Sequence, residues 1–376
     1  MAEAVRSAGL RNVVAGESAI CIIDGARGLL AYRGIDIHEL ARHSSFEEVV
    51  FLLHRGALPT RAQLDSFRQE LAKERRVPDA LLAVLRALPR DAHPMDALRT
   101  AISALGGFDP DATDESEAGR LRKAVRLTAQ TATVVAAIER VRGGRAPIAP
   151  DTQLSHAANF LFMLSGERPS ETEARAMDVA LLLHADHEFN ASTFTARVVA
   201  STLSDIHSAV TAALAALKGP LHGGANEAVM RMLEEVGRPE RAAAWVSEAL
   251  AAKRKVMGFG HAVYRTEDPR AAHLRQLSPE VAEETGERRW FEITEAIEAA
   301  VRSQRGLYPN VDLYSASLYR ALGIPTDLFT PVFATARVAG WTAHVLEQRA
   351  NNKLIRPESE YVGPRDVRYV PIDQRG

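Results

Sequence analysis

Four polar stretches carry side chains able to do acid–base work, and each interrupts an otherwise apolar helical pattern. In chain order they are His184-Ala-Asp-His187-Glu-Phe-Asn190-Ala-Ser192-Thr-Phe-Thr195, Lys218-Gly-Pro220-Leu-His222-Gly223-Gly224-Ala-Asn226-Glu227, Gly258-Phe-Gly260-His261-Ala-Val-Tyr264-Arg265-Thr-Glu-Asp268-Pro-Arg270 and Tyr308-Pro-Asn310-Val-Asp312-Leu-Tyr314-Ser315. His222 follows Pro-Leu and precedes two glycines, a bend where backbone can approach a ligand closely. The helix expected to start at Ala225 sets this imidazole beside a positive helix end. That setting favours the neutral ring, which can still donate one hydrogen bond. A turn histidine bonded only to backbone is the competing reading, for His222 and equally for His261. Asp312, just ahead of an aromatic-rich helix, fits a helix-terminal acid as well as a base. His184 and His187 lie three apart, a spacing expected on one helical face and open to a metal. No third ligand stands at a familiar spacing, so no metal is expected.

Cations supply the complementary chemistry. Arg337 lies in the apolar run Phe333-Ala-Thr-Ala-Arg337-Val-Ala-Gly-Trp341, where a buried guanidinium must meet an anion, either a ligand or an internal Asp or Glu. Arg270 and Arg356 also break their local patterns, and a guanidinium grips a carboxylate with two parallel donors as lysine does not. The run Lys253-Arg254-Lys255 ahead of Gly258 suits a solvated helix end or contacts to phosphates.

Helices must position these groups. Capping-box spacings occur at Ser44/Glu47, Thr60/Gln63 and Ser170/Glu173. Apolar periodicity predicts helices over about 79–88, 94–105, 118–142, 155–165, 171–188, 206–218, 226–236, 239–254 and 327–350, with another closing before Gly56. Strand signal is confined to Ile20–Ile23 and Leu29–Tyr32, one small N-terminal hairpin. The class is mainly α. The stretches 109–116 and 143–150 read as surface loops.

Composition narrows the function. The 376 residues exceed what one compact core usually holds, so more than one domain is expected. Forty-six Lys and Arg against 48 Asp and Glu leave a net charge of −2, which gives no pull toward nucleic acid or anionic lipid. A single cysteine excludes an internal disulfide framework. The first residues lack the pattern of a secretory or transit signal, and the apolar stretch Ala209–Leu217 is far short of the roughly 20 residues that span a bilayer. A cytoplasmic location with small-molecule chemistry is expected.

Taken together, LHADHEFNASTFTARVVASTLSD, LKGPLHGGANEAVMRMLEE, MGFGHAVYRTEDPRA, YPNVDLYSASLY and FTPVFATARVAGWTAHVLEQ, followed by NKLIRP and YVGP, resemble the citrate synthase family, as do GESAICIIDGARGLLAYRGIDI and SSFEEVVFLLHRGALPT. The match spans nearly the whole chain in the family's order. The resemblance implies a two-domain helical fold, with a large domain formed by 1–224 and 321–376 and a small one formed by 225–320 that closes over a cleft. It implies a homodimer in which Arg356 reaches the partner's site. It assigns catalysis to His222, His261 and Asp312, and dicarboxylate binding to His187, Asn190, Arg270, Phe333, Arg337 and Arg356. Coenzyme A contacts fall on Lys255, Val256, Met257, Gly258, Phe259, Gly260, Arg265 and Asn310. Oxaloacetate and an acyl-CoA are the implied substrates, with no permanently bound cofactor.

In that chemistry a carboxylate such as Asp312 removes a methyl proton from acetyl-CoA while neutral His222 stabilises the enolate and His261 protonates the ketone oxygen. A 2-methylcitrate synthase using propionyl-CoA would need the same residues. A non-catalytic helical binding protein would be expected to have lost some of them, and a hydrolase built on a His184/His187 metal would be stopped by EDTA.

Overall fold

Ser45, Thr60, Ser116, Ser155, Ser170, Asn190 and Asp205 each accept a hydrogen bond from a backbone N–H in the first turn of the helix they precede. These caps satisfy donors that would otherwise be orphaned, and they fix where the helices begin. The computed structural model describes residues 8–10, 13–261 and 263–376. Among them sixteen α-helices run from Ile37–His43 to Phe329–Ala350. A three-stranded antiparallel sheet precedes them: β1 (Cys21–Asp24), β2 (Leu29–Tyr32) and β3 (Ile35–Asp36), in the order β1-β2-β3. Cys21 pairs with Tyr32 and Asp24 with Leu29, and the short third strand extends the expected hairpin.

The helices Glu117–Arg142 and Phe329–Ala350 pack against each other at the centre. Every residue from Lys123 to Ile138 is buried, so the first of these is covered on all sides rather than amphipathic. Lys123 is tolerated there because its ammonium meets Glu115 at 2.8 Å. The helices Ala225–Val236, Ala242–Ala251, Pro269–Glu284, Arg288–Arg305 and Val311–Ala321 pack largely on one another. No helix among the described residues is long and apolar enough to cross a membrane.

Several boundaries differ from the sequence reading, for local reasons. The first capping serine is Ser45 rather than Ser44, whose hydroxyl instead donates to Glu48 at 2.7 Å. The helix expected to reach 188 ends at His184, so His184 and His187 do not share one helical face. The span 239–254 is a short 3-10 turn, Pro239–Arg241, followed by Ala242–Ala251. The acidic stretch 109–116 is a largely exposed loop, as expected, pinned to the central helix by ion pairs: Asp109 and Asp111 both pair with Arg126, and Asp111 and Asp114 with Arg122.

Candidate active site

Where the 171–184 helix stops, Ala185–Asn190 turns sharply and carries His187 and Asn190 inward. Glu188 takes a left-handed φ of 54°, strain that a non-glycine residue holds only when its surroundings impose it. The Asn190 amide is spent on this turn. Its Oδ1 accepts from the Thr193 N–H and the Ser192 hydroxyl, while Nδ2 donates to the His187 carbonyl at 3.2 Å. Asn190 therefore shapes the turn that carries His187.

His222 sits in the turn before the Ala225–Val236 helix, as its glycines suggest. Gly223 is required there, since a Cβ would lie 2.3 Å from the Leu217 carbonyl that its own N–H meets at 2.9 Å. The Ser192 N–H points at His222 Nε2 from 3.3 Å, and the Ser192 hydroxyl lies 2.8 Å from the same nitrogen. Nε2 is thus an acceptor and the ring proton belongs on Nδ1, which no protein group engages among the described residues. Trp341 Nε1 donates to that hydroxyl at 3.1 Å and holds it in place. Burial, reinforced by the charge of Arg337, pushes the His222 pKa down to about 4.

His261 has the opposite tautomer. Its Nδ1 accepts from the Val263 and Tyr264 N–H groups at 3.0 and 3.3 Å, so the proton belongs on Nε2. Burial and then Arg270 lower its pKa to about 4. Its ring packs on His187 and Tyr264, with centroids 5.2 and 4.7 Å apart, and the Tyr264 hydroxyl reaches His187 Nε2 at 3.3 Å. His187 itself is pushed well below its ordinary pKa by burial, with Arg270 and Arg337 adding to the effect.

Asp312 lies in the first turn of the Val311–Ala321 helix, and no ion pair holds its carboxyl among the described residues. Burial raises its pKa to about 6; Asp268 adds to the rise while Arg270 and Arg337 oppose it. Asn310 caps this helix by accepting from the Asp312 N–H at 3.0 Å. It also stitches two loops together, its N–H donating to the Gly258 carbonyl and its Nδ2 to the Gly260 carbonyl, both at 2.9 Å. Gly258 adopts φ 83°, and a side chain there would press into Leu313.

Arg270 and Arg337, both buried, are held differently. Arg270 forms a two-point pair with Asp268, Nε to Oδ1 at 2.9 Å and Nη2 to Oδ2 at 2.8 Å. Burial works to lower its pKa, but Asp268 outweighs it and raises it. Arg337 finds no such partner. Its Nε donates to the His184 carbonyl at 2.7 Å, its guanidinium lies 4.5 Å from the Phe333 ring centre, and no carboxylate pairs with it among the described residues. Burial pulls its pKa down to about 10, against the charge of Asp186. Among the described residues no hydrogen bond engages either terminal nitrogen of Arg337, and such a free fork can take a carboxylate at two points.

The remaining candidates lie further out. Gly260, His261, Arg265, Tyr308 and Asn310 line one small cavity of about 120 Å³. Val256, Met257 and Phe259 are half-buried against the core, while Lys255 is exposed. Arg254 pairs with Glu235 and lies over Trp245, the ordinary end of a solvated helix. Arg356 is exposed and unpaired among the described residues. Ser192, Tyr264 and Asp268 lie in the polar stretches singled out from the sequence but had no role of their own there, and Trp341 stood only as part of an apolar helical run.

Residues 9–358 match the family profile described as citrate synthase, C-terminal domain. The chain belongs to the citrate synthase family. It is 50% identical over 369 residues to citrate synthase 2 of Bacillus subtilis, covering 98% of each chain. It is also 44% identical over 375 residues to the 2-methylcitrate synthase of Shewanella oneidensis, covering 100% of this chain and 99% of that one. Among solved structures, citrate synthase from Thermoplasma acidophilum, in ternary complex with carboxymethyl coenzyme A and oxaloacetate, superposes with a TM-score of 0.90 at 33% identity, covering 98% of both chains. Citrate synthases are acyl-transferring condensation enzymes, and this chain is an enzyme of that type with their helical fold.

Proposed function

We propose that the chain condenses acetyl-CoA with oxaloacetate and water to give citrate and coenzyme A. The observation that carries this reading is the convergence of one unpaired, proton-hungry carboxyl and two neutral imidazoles of opposite tautomer on two buried guanidiniums. Asp312 takes a methyl proton from the thioester. Electron density moving to the thioester oxygen is met by the Nδ1–H of His222, so the enolate never forms unsupported. The enolate carbon attacks the ketone of oxaloacetate, and His261 gives its Nε2 proton to the ketone oxygen as that bond closes. Arg337 grips one substrate carboxylate with its free fork, and Arg270 and His187 flank the other, fixing the carbonyl's direction. Hydrolysis of the citryl thioester then releases coenzyme A.

Residues 225–320 act in this reading as the closing domain over 1–224 and 321–376, a division supported by the mutual packing of their helices. The Lys255–Gly260 loop, Arg265 and Asn310 take the coenzyme. A homodimer with Arg356 donated across it accounts for that residue's exposure. The tail beyond it leaves Tyr361, Val362, Val367, Tyr369 and Ile372 exposed, apolar surface that a second copy would cover. A cytoplasmic location fits the reading.

The 44% identity to a 2-methylcitrate synthase favours a second acyl substrate, propionyl-CoA. One methyl group is worth only about 1–3 kcal/mol of discrimination. A thiol-release assay with oxaloacetate, run with acetyl-CoA and with propionyl-CoA at matched concentrations, tests both. Acetyl-CoA is expected to give the higher kcat/KM, and absence of thiol release with either would overturn the reading.

A further inference from the structure

Asp186 is fully buried one residue before His187, and the reaction outlined above gives it no part. Its Oδ2 accepts from the Glu188 N–H at 3.0 Å, across the left-handed residue that turns His187 inward. Its backbone is gripped by Tyr32 of β2, whose hydroxyl donates to the Asp186 carbonyl at 3.0 Å and lies 3.3 Å from its N–H. Behind it stands His344, also fully buried, with Nε2 3.2 Å from Oδ1 and 3.4 Å from Oδ2. The guanidinium of Arg197 donates to His344 Nδ1 at 3.2 Å, so the imidazole proton is on Nε2 and faces Asp186. Glu347 anchors Arg197 in turn at 2.6 Å. The helix bearing Arg337 comes so close that a Cβ on Gly340 would lie 2.4 Å from both Asp186 Oδ1 and the Ala185 carbonyl.

We propose that Asp186, held by His344, is a positioning residue: its carboxylate locks the strained 185–190 turn that presents His187 and supplies the buried negative charge facing Arg337. Arg270 carries its own counter-charge in Asp268, whereas no carboxylate pairs with Arg337 among the described residues. Asp186 balances Arg337 from a distance, leaving the fork open for substrate. A direct ion pair would have closed that fork. The chain Glu347–Arg197–His344 fixes both the direction of the carboxylate and the tautomer of the ring behind it.

This inference rests on oxaloacetate being the ligand of Arg337, so the test reads binding separately from turnover. In the full-length enzyme, Asp186→Asn keeps an acceptor for the Glu188 N–H, removes the charge and turns the Oδ1 acceptor that faces His344 Nε2–H into an amide donor. Calorimetric titration with oxaloacetate should show affinity reduced at least tenfold, with KM for oxaloacetate rising in parallel and kcat at saturation within about threefold of wild type. His344→Leu should reproduce that loss, and His344→Gln, whose amide N–H can still face Asp186, should recover most of it. Unchanged affinity in Asp186→Asn overturns the proposal. So does a fall in kcat and melting temperature at constant KM, the mark of a residue that only supports the fold. If wild type itself binds no oxaloacetate, it is the functional reading that fails.

Discussion

Burial shifts the Asp312 carboxyl toward its neutral form. A carboxyl that ionises near 6 in the folded chain and near 3.8 when unfolded binds its proton more tightly in the native state. Native stability is therefore favoured below about pH 4, and that advantage is lost as the pH rises through about 6. Asp312→Asn should melt higher than wild type at pH 8, by on the order of 2 kcal/mol, and no higher at pH 4. Thermal unfolding at the two pH values measures this. The same substitution should lower turnover by about 10²–10⁴-fold while oxaloacetate still binds. Because His222 and His261 are already neutral above about pH 4, the acid limb of wild-type kcat/KM should follow Asp312 and fall below about pH 6. An acid limb near pH 4 would point to the imidazoles instead.

The pieces that carry these groups were unequally visible in the amino-acid string. Long helices declared themselves through apolar period and caps: Thr60/Gln63 and Ser170/Glu173 form reciprocal capping boxes as spaced. His222 and His261 stood out because glycine flanks them. Asp186 did not, since an acid between two histidines carries no mark of total burial, and its partner His344 lies 158 residues away. Tautomers were equally hidden, because they depend on which backbone N–H points at which ring nitrogen. The contact between the 329–350 helix and the 185–186 backbone is a further example, visible only once Gly340 is seen to donate to the Ala185 carbonyl at 3.1 Å. Gly340→Ala should push the two apart, costing about 1–3 kcal/mol of stability. It should also raise KM for oxaloacetate, and thermal melts with steady-state kinetics read both effects. A variant as stable and as active as wild type would show that this approach has room to spare.

The assembled enzyme makes a prediction that no single chain can. If Arg356 completes a partner's site, each site needs Asp312 from one copy and Arg356 from the other. Arg356→Ala and Asp312→Asn should each be nearly inactive alone. Refolded together in equal amounts, half the dimers are mixed and each mixed dimer has one intact site, so about a quarter of wild-type activity should return. Activity that never exceeds the sum of the separate variants would place Arg356 outside the site. Melting curves of the separate variants check that both fold.

Asn310 ties Gly258, Gly260 and Asp312 with three hydrogen bonds from one residue. The proposed cradle for the acyl carrier and the proposed base are thereby a single rigid tile. With those roles, any displacement of the cradle on docking is passed to the proton acceptor through these three bonds.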